Sequence, residues 1–194
     1  MIVLKLGGSL LSSSILPQWL HLAVKEGKGR LVIVPGGGVF ADQVRSTQKK
    51  WQYDDQTAHY MAILAMQQMA LLFKGLCPDL CIVNQVAAIR PALDKQALVV
   101  WSPLATELDS GKIKASWEVT SDTLAAWLAT QLSADQLMLV KSAQLPENAT
   151  LQQLSEHNIV DQAFADFVQY NPIRLDCVSL TQTYALSASL KKNV

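Results

Sequence analysis

The chain of 194 residues is long enough to bury one sizeable core, and 50% of it is hydrophobic, which excludes a disordered segment. Sixteen basic and sixteen acidic side chains cancel, so the composition gives no reason to expect binding to nucleic acid or to an anionic membrane. We therefore predict a single globular domain over residues 1–194 whose partner is a small molecule.

Targeting features and cysteine usage both indicate a cytoplasmic protein. The first apolar run is short and is interrupted by Lys5 and two glycines, which does not match a secretory signal. The longest apolar stretch, residues 60–73, falls short of the ~20 residues that span a bilayer. Three cysteines in apolar surroundings, without CxxC spacing, fit reduced core thiols better than a disulfide framework or a zinc site.

Two strand-and-glycine units open the chain. An apolar strand at residues 2–4 leads into Lys-Leu-Gly-Gly-Ser at 5–9 and a patterned helix. A second strand at 31–34 leads into Pro-Gly-Gly-Gly at 35–38 and a helix from about Val39. This order predicts a parallel βαβ unit with both loops at one carboxyl edge of a sheet. Such glycine turns, each followed by a helix N-terminus, favour phosphate binding.

A long apolar helix follows the second unit. The helix after the second glycine loop is predicted to break at the polar residues 46–50, and residues 51–55 form a connector. The next helix, residues 56–74, has an apolar face wider than one stripe, which implies burial on two sides. Either a large core or a subunit interface would produce this pattern.

The remaining elements follow from the same periodicities. We predict strands over residues 80–83, 97–101, 137–140 and 173–180, helices over 120–132, 151–157 and 161–168, a loop-rich stretch between residues 84 and 96, and an exposed loop or hairpin over 108–117 that could cover the crevice.

Three charged residues are predicted to lie at the same sheet edge as the glycine loops. Lys5 stands between two leucines in a central strand, where a charge is unfavourable without an anionic partner, so we favour a functional role. Asp122 lies in the first turn of a helix capped by Thr120 or Ser121, and a simple capping role fits its spacing equally well. Lys141 ends a strand and could equally be solvated.

Several common sites are not indicated. The chain has neither GxxxxGK[ST] nor GxGxxG, which argues against a P-loop NTPase and a standard dinucleotide fold. Its histidines, His21, His59 and His157, lack the spacing of metal ligands, so we predict no metal site held by side chains.

Three motifs together resemble the amino acid kinase family. They are residues 5–9, the triple-glycine turn with Asp42 after it, and Thr-Ser-Asp-Thr at 120–123 before an alanine-rich helix. Residues 40–45, 58–62, 139–142 and Trp117 look most like the small kinase-like proteins of methanopterin biosynthesis. Those proteins are similar to the enzyme that phosphorylates an aminomethylfuran methyl phosphate to its diphosphate.

The resemblance implies a three-layer α/β/α sandwich with a mainly parallel central sheet, a homodimer or higher homo-oligomer, and ATP with Mg²⁺. It implies that Lys5 contacts the transferring phosphoryl group and that Asp122 holds Lys5 in place. The residues implied to bind the nucleotide phosphates are Gly7, Gly8, Ser9, Lys141 and Ser142, and those implied to bind the acceptor are Gly36, Gly37, Gly38, Asp42 and Arg45.

One departure concerns the nucleotide base. Many relatives have a Thr-Asp-Val-type turn and a longer nucleotide-binding segment where this chain has Lys-Ser-Ala at residues 141–143. We therefore predict a shortened nucleotide-binding part and few contacts to the base.

The predicted function is ATP-dependent transfer of a phosphoryl group to a small phosphorylated or carboxylate acceptor, best a phosphate monoester. An acceptor that is already ionised needs no strong general base, and none is evident. The alternative is a non-catalytic protein that binds a phosphometabolite or nucleotide on the same scaffold.

Overall fold

The computed structural model describes residues 1–143, 145–146 and 149–192, and its centre is a six-stranded sheet. The strand order is β3-β4-β2-β1-β5-β6, and every pairing is parallel, which confirms the predicted α/β fold. The strands are β1 (Ile2–Leu6), β2 (Leu31–Pro35), β3 (Leu80–Val83), β4 (Leu98–Trp101), β5 (Gln136–Lys141) and β6 (Leu175–Ser179).

Helices cover both faces of this sheet. They are α1 (Leu16–Glu26), α2 (Gly38–Trp51), α3 (Asp55–Leu76), α4 (Val86–Asp94), α5 (Ala105–Ser110), α6 (Ser121–Gln131), α7 (Leu151–Glu156), α8 (Gln162–Tyr170) and α9 (Tyr184–Lys192). Successive residues of β1 serve opposite layers, since Val3 packs in one apolar cluster with Trp127 and Leu4 in the other with Trp19. The sheet is thus the middle of three layers.

The register of the central strands creates the edge on which the site is built. Lys5 of β1 lies beside Val34 of β2 on one side and Leu139 of β5 on the other. The carboxyl ends of these three strands are therefore neighbours. Both glycine loops and Lys141 leave the sheet there, as the parallel βαβ prediction requires.

The first glycine loop does not lead directly into a long helix, contrary to the prediction. It opens a short 3₁₀ turn (Gly8–Ser12), and α1 begins only at Leu16. The serines between them favour local bonds over helix, and the hydroxyl of Ser13 accepts a hydrogen bond from the Ile15 backbone N–H at 3.3 Å. Pro17 then fixes the start of α1 in its first turn.

The predicted break in α2 at residues 46–50 is wrong. The helix continues to Trp51 and ends where Gln52 adopts a left-handed conformation with φ of 57°. Ser46, Lys49 and Lys50 are exposed, where a helix needs no apolar side chain. Thr47 and Gln48 are half-buried and hydrogen-bond to the side chains of Tyr53 and Trp117. Lys49 and Lys50 in the last turn also complement the helix dipole.

Two further segments are helical where the sequence predicted loops. Pro91 lies inside α4, yet Ile89 and Leu93 are buried one turn apart, and their packing outweighs the disruptive effect of the proline. Within residues 108–117, Leu108 belongs to α5 and is fully buried. The helix α9 was not predicted, although Leu186 and Leu190 anchor it to the sheet.

Helix α3 is buried on two sides, as its pattern predicts, but its leucines are not among the buried residues. Ile63 and Met66 belong to one apolar cluster, whereas Met69 and Phe73 belong to the other. Two leucines of the helix remain exposed, Leu64 at 54% and Leu71 at 62%.

The cysteines at positions 77, 81 and 177 are free and half-buried. No helix within the described ranges combines the length and the apolar character needed to cross a membrane.

Candidate active site

The two glycine loops are in direct backbone contact. The Gly36 N–H donates a hydrogen bond to the Leu6 carbonyl at 2.8 Å. A Cβ added at Gly36 would lie 2.5 Å from the backbone N of Gly8, and one added at Gly8 would overlap the backbone of Gly38. Only glycine lets the loops approach this closely, so the triple-glycine turn and the first loop form one continuous surface.

Beside the first loop lies a buried cluster of three charges. Lys5 Nζ is 2.8 Å from Asp122 Oδ1, and Lys141 Nζ donates a hydrogen bond to Asp122 Oδ2. Lys5 is 6% exposed and Asp122 is 4% exposed. Lys5 thus has the anionic partner that a lysine in a central strand requires.

Asp122 does not cap its helix. Thr120 is the N-cap of α6, and its hydroxyl accepts a hydrogen bond from the Asp122 backbone N–H at 3.2 Å. This leaves the Asp122 carboxylate free to bridge two lysines. Thr120, and not Asp122, is therefore the residue that caps α6.

The cluster of Lys5, Asp122 and Lys141 carries a net positive charge. Burial by itself would raise the pKa of Asp122, but the charges of Lys5 and Lys141 lower it below the ordinary value, so the carboxylate stays ionised. Burial and repulsion from Lys5 lower the pKa of Lys141 in spite of the attraction of Asp122. Two cations against one anion leave the carboxyl edge of β1 and β5 suited to an anionic ligand.

The turn that carries Asp122 is tied to α8 by Asp161. Its carboxylate accepts hydrogen bonds from the hydroxyls of Thr120 and Thr123, each at 2.6 Å. It also accepts one from the Phe164 N–H at the start of α8. Sequence reasoning missed Asp161, because its capping role at α8 gave no sign of a second role at α6.

The residues predicted for the nucleotide phosphates lie together. The hydroxyl of Ser142 donates to that of Ser9 at 2.9 Å, which joins the loop after β5 to the first glycine loop. A Cβ at Gly7 would lie 3.4 Å from Lys5 Nζ. Backbone N–H groups, two hydroxyls and two lysines therefore surround the same small region.

A cavity of about 320 Å³ opens on the other side of the first loop. All five residues predicted for the acceptor line it: Gly36, Gly37, Gly38, Asp42 and Arg45. Gly8 and Ser9 line it as well, so it adjoins the nucleotide-phosphate residues. Side chains of Ala62, Ile63 and Met66 form an apolar wall.

An arginine and a tryptophan form the rim of this cavity. The Arg45 guanidinium carbon lies 4.4 Å from the centroid of the Trp117 ring, a cation–π geometry. The Trp117 indole N–H donates to Gln48 Oε1 at 2.6 Å, which fixes the ring. A fixed aromatic ring, a cation and an apolar wall can together hold an anionic molecule that has a small flat body.

His59 also lines the cavity, and sequence reasoning placed it only in a helix. The available signal was the spacing of Asp55, His59, Ile63 and Met66, which puts all four on one face of α3. Nothing in the sequence identified this face as the one that meets the cavity.

The Asp122 carboxylate is engaged by cationic side chains. Both oxygens of Asp122 are engaged by lysines, so this carboxylate fits a lysine-positioning role. In the part of the chain that the structure describes, no three His, Cys, Asp or Glu side chains form a group that could hold a metal ion.

Comparison with known proteins identifies the family of the chain. Residues 1–144 match the sequence model of the amino acid kinase family. Over 138 residues the chain is 25% identical to the [5-(aminomethyl)furan-3-yl]methyl phosphate kinase of Methanocaldococcus jannaschii. That match covers 71% of this chain and 63% of the length of the relative.

Solved structures agree on the fold. The chain superposes on uridylate kinase from Archaeoglobus fulgidus with a TM-score of 0.71 at 19% identity, covering 98% of this chain and 95% of the other. It superposes on UMP kinase from Bacillus anthracis with a TM-score of 0.66 at 14% identity, with coverage of 93% and 87%. For UMP kinase from Ureaplasma parvum the TM-score is 0.65 at 17% identity, with coverage of 100% and 95%.

Proposed function

Because the chain belongs to the amino acid kinase family, we propose that it transfers the terminal phosphoryl group of ATP to a small anionic acceptor. The acceptor we favour is a phosphate monoester with a flat ring, of the kind named for the M. jannaschii relative, [5-(aminomethyl)furan-3-yl]methyl phosphate. The observation that carries this proposal is the buried Lys5–Asp122–Lys141 cluster beside two interlocked glycine loops that open onto a cavity.

The reaction places few demands on acid–base chemistry. A phosphate oxygen of the acceptor forms the new bond to the γ-phosphorus of ATP, and the bond to the β–γ bridging oxygen breaks to release ADP. The second pKa of a phosphate monoester is about 6, so the acceptor is already an anion at neutral pH. No proton has to be removed, and the products are ADP and a diphosphate ester.

Catalysis then rests on positioning and neutralisation of charge. Lys5 faces the transferring phosphoryl group, and Asp122 holds Lys5 there, since the two are 2.8 Å apart. Gly7, Gly8 and Ser9 offer N–H groups to the nucleotide phosphates, and Lys141 adds a second cation. Mg²⁺ bound to the ATP phosphates would supply further charge neutralisation.

Different residues of the acceptor cavity suit different chemical groups of the acceptor. Gly36, Gly37 and Gly38 present backbone groups beside Gly8, and Arg45 supplies a cation for the acceptor phosphate. The apolar wall of α3 and the ring of Trp117 suit the body of the acceptor. Asp42 and Asp55 also line the cavity and can take a cationic amine on that body.

The test is ADP release with a panel of acceptors: [5-(aminomethyl)furan-3-yl]methyl phosphate, uridine monophosphate, a simple alkyl phosphate and a carboxylate. We expect release that depends on the furan phosphate. Binding of ATP and of the furan phosphate without any release of ADP would overturn the kinase proposal in favour of the non-catalytic alternative.

We also propose the homodimer and the cytoplasmic location predicted from the sequence. The exposed leucines of α3 support the dimer.

A further inference from the structure

One face of α3 forms a wall of the acceptor cavity. Asp55, His59, Ala62, Ile63 and Met66 follow each other at helical spacing, and all of them line the cavity. Beyond the exposed Asp55 at the helix start, the face is apolar except for a single imidazole. His59 is thus the polar group within the apolar part of the wall.

His59 is buried without the bonding that a buried polar side chain normally has. It is 6% exposed, and within the described residues its Nε2 has no hydrogen-bond partner. Buried polar side chains in proteins are nearly always hydrogen-bonded, so each exception calls for an explanation. Because Nε2 itself is closed to solvent, a ligand in the cavity supplies a partner when the imidazole ring turns toward it.

The charge state of His59 fits a hydrogen bond better than an ion pair. Burial lowers the pKa of His59, and the negative charge of Asp109 opposes this only in part. The imidazole is therefore neutral near pH 7 and carries one N–H donor and one acceptor nitrogen. A neutral ring is better suited to a polar atom of an uncharged or weakly polar body than to a phosphate.

A purely structural role explains the residue poorly. If His59 only filled space beside Ile63, an apolar side chain would pack there without an unpaired nitrogen. The phosphate end of the acceptor already has the glycine loops and Arg45. His59 lines the cavity together with the apolar side chains of α3, which suit the body of the acceptor.

We infer that His59 is a specificity-determining residue of the acceptor site and hydrogen-bonds to a polar atom on the body of the acceptor. This inference rests on the proposed function, since it takes the cavity to be the acceptor site. It assigns to the acceptor a heteroatom in or on its ring, beyond the phosphate that all acceptors of the class share.

A direct test is imidazole ¹⁵N NMR of the wild-type protein. The chain has three histidines, and His21 and His157 are exposed and lie outside the cavity, so they serve as internal controls. Titration with [5-(aminomethyl)furan-3-yl]methyl phosphate should move the His59 Nε2 resonance and leave the other two unchanged. Saturation of the site without a change at His59 would overturn the inference.

A variant series tests the hydrogen bond itself. His59→Leu should raise the acceptor KM about tenfold or more, as expected for the loss of one hydrogen bond, and leave the ATP KM within about twofold. His59→Gln should recover part of that loss. His21→Leu makes the same exchange at an exposed histidine of α1 that does not line the cavity, so it is the matched control and should change the acceptor KM little. An equal effect of His59→Leu and His21→Leu would contradict the assignment.

Acceptor analogues identify the atom involved. One analogue replaces the furan by a benzene ring and another lacks the amine. One of these analogues lacks the atom that His59 contacts, and wild type should bind it about tenfold more weakly than the parent compound. The His59→Leu variant should bind that analogue and the parent compound equally well. A variant that still discriminates between all three compounds as wild type does would overturn the inference. His59→Leu should melt no lower than wild type, because it removes an unpaired buried nitrogen.

The two proposals can fail separately. ADP release by wild type with no change at His59 would overturn only the His59 inference. Acceptor binding that moves the His59 resonance without ADP release would overturn the kinase and support His59 as a ligand contact. If the furan phosphate neither binds nor supports ADP release, both proposals are overturned.

Discussion

Asp122 Oδ1 lies 2.8 Å from Lys5 Nζ, which joins the first strand of the chain to the first turn of α6 across 117 residues of sequence. The same carboxylate holds Lys141 at the end of β5. One aspartate therefore fixes the position of two cations at the sheet edge where the glycine loops meet. The proposed phosphoryl transfer depends on this arrangement.

Replacement of Lys5 should abolish most of the activity without unfolding the protein. Lys5→Met should lower kcat on the order of 10²-fold or more, by analogy with the loss of one preorganised donor. Asp122 would still be paired with Lys141, so the fold should persist. The measurement is ADP release per folded molecule, with the exposed Lys95→Met as control. Near-wild-type turnover would refute the role of Lys5.

Replacement of Asp122 should be more damaging to stability than replacement of Lys5. Asp122→Asn leaves two neighbouring buried lysines without an anion, and removal of one partner of a buried pair typically costs about 3–5 kcal/mol. Urea unfolding of both variants measures the difference. An Asp122→Asn protein as stable as Lys5→Met would mean that the carboxylate does not bridge the two lysines.

The contact between the glycine loops gives a steric prediction. Gly8→Ala places a methyl group against the Gly38 backbone, so the loops must separate and activity should fall at least about tenfold. Gly75 in α3 is the control, since a Cβ there meets nothing within 4 Å. Gly75→Ala should keep full activity and stabilise the fold by roughly 0.5–1 kcal/mol. Full activity of Gly8→Ala would contradict the proposed close approach.

The lowered pKa of Lys141 predicts that the affinity for ATP falls at alkaline pH. Its pKa is lowered, so it loses its charge as the pH rises through a value below that of an ordinary lysine, and ATP affinity should fall there. The titratable groups that face it are Lys5, Asp122 and Cys177. Burial raises the pKa of the Cys177 thiol to about 11, so this group stays mainly neutral up to pH 10. ATP titrations between pH 7 and 10 measure the effect.

Lys141→Arg supplies the matched control for that experiment. A guanidinium stays protonated above pH 12, so the variant should bind ATP with little change over the same range. If both proteins lose affinity at the same pH, a group other than Lys141 is responsible.

The exposed face of α3 predicts a homodimer. Leu64 and Leu71 lie two turns apart on one face and are more than half exposed. Light scattering at micromolar concentration should give a dimer, and Leu64→Glu with Leu71→Glu should give a folded monomer. Tyr170→Glu on α8, where the side chain is 81% exposed, is the control and should remain dimeric. A monomeric wild-type protein would refute the interface.

The sequence predicts most of the sheet because parallel strands buried on both faces form continuous apolar runs. Lys5 stands out within such a run, and the need for an anionic partner follows from burial alone. That Asp122 is this partner was implied only by the family resemblance. That Lys141 shares it depends on the register of β5 against β1, which no local pattern records.

Other features depend on tertiary packing. Pro91 is a local signal against helix, yet the burial of Ile89 and Leu93 decides in favour of α4. The role of Asp161 depends on how α6 and α8 approach each other. His59 has ordinary helical spacing, and its place in the cavity wall follows only from which face of α3 meets the glycine loops.

The most direct test of the central claim is a ³¹P NMR measurement on wild type with Mg²⁺, ATP and [5-(aminomethyl)furan-3-yl]methyl phosphate. We expect the monoester signal to decline while the coupled pair of signals of a diphosphate ester grows in equal amount with ADP, and we expect neither change with Lys5→Met. An unchanged monoester signal, or ADP accompanied only by inorganic phosphate, would contradict phosphoryl transfer to this acceptor.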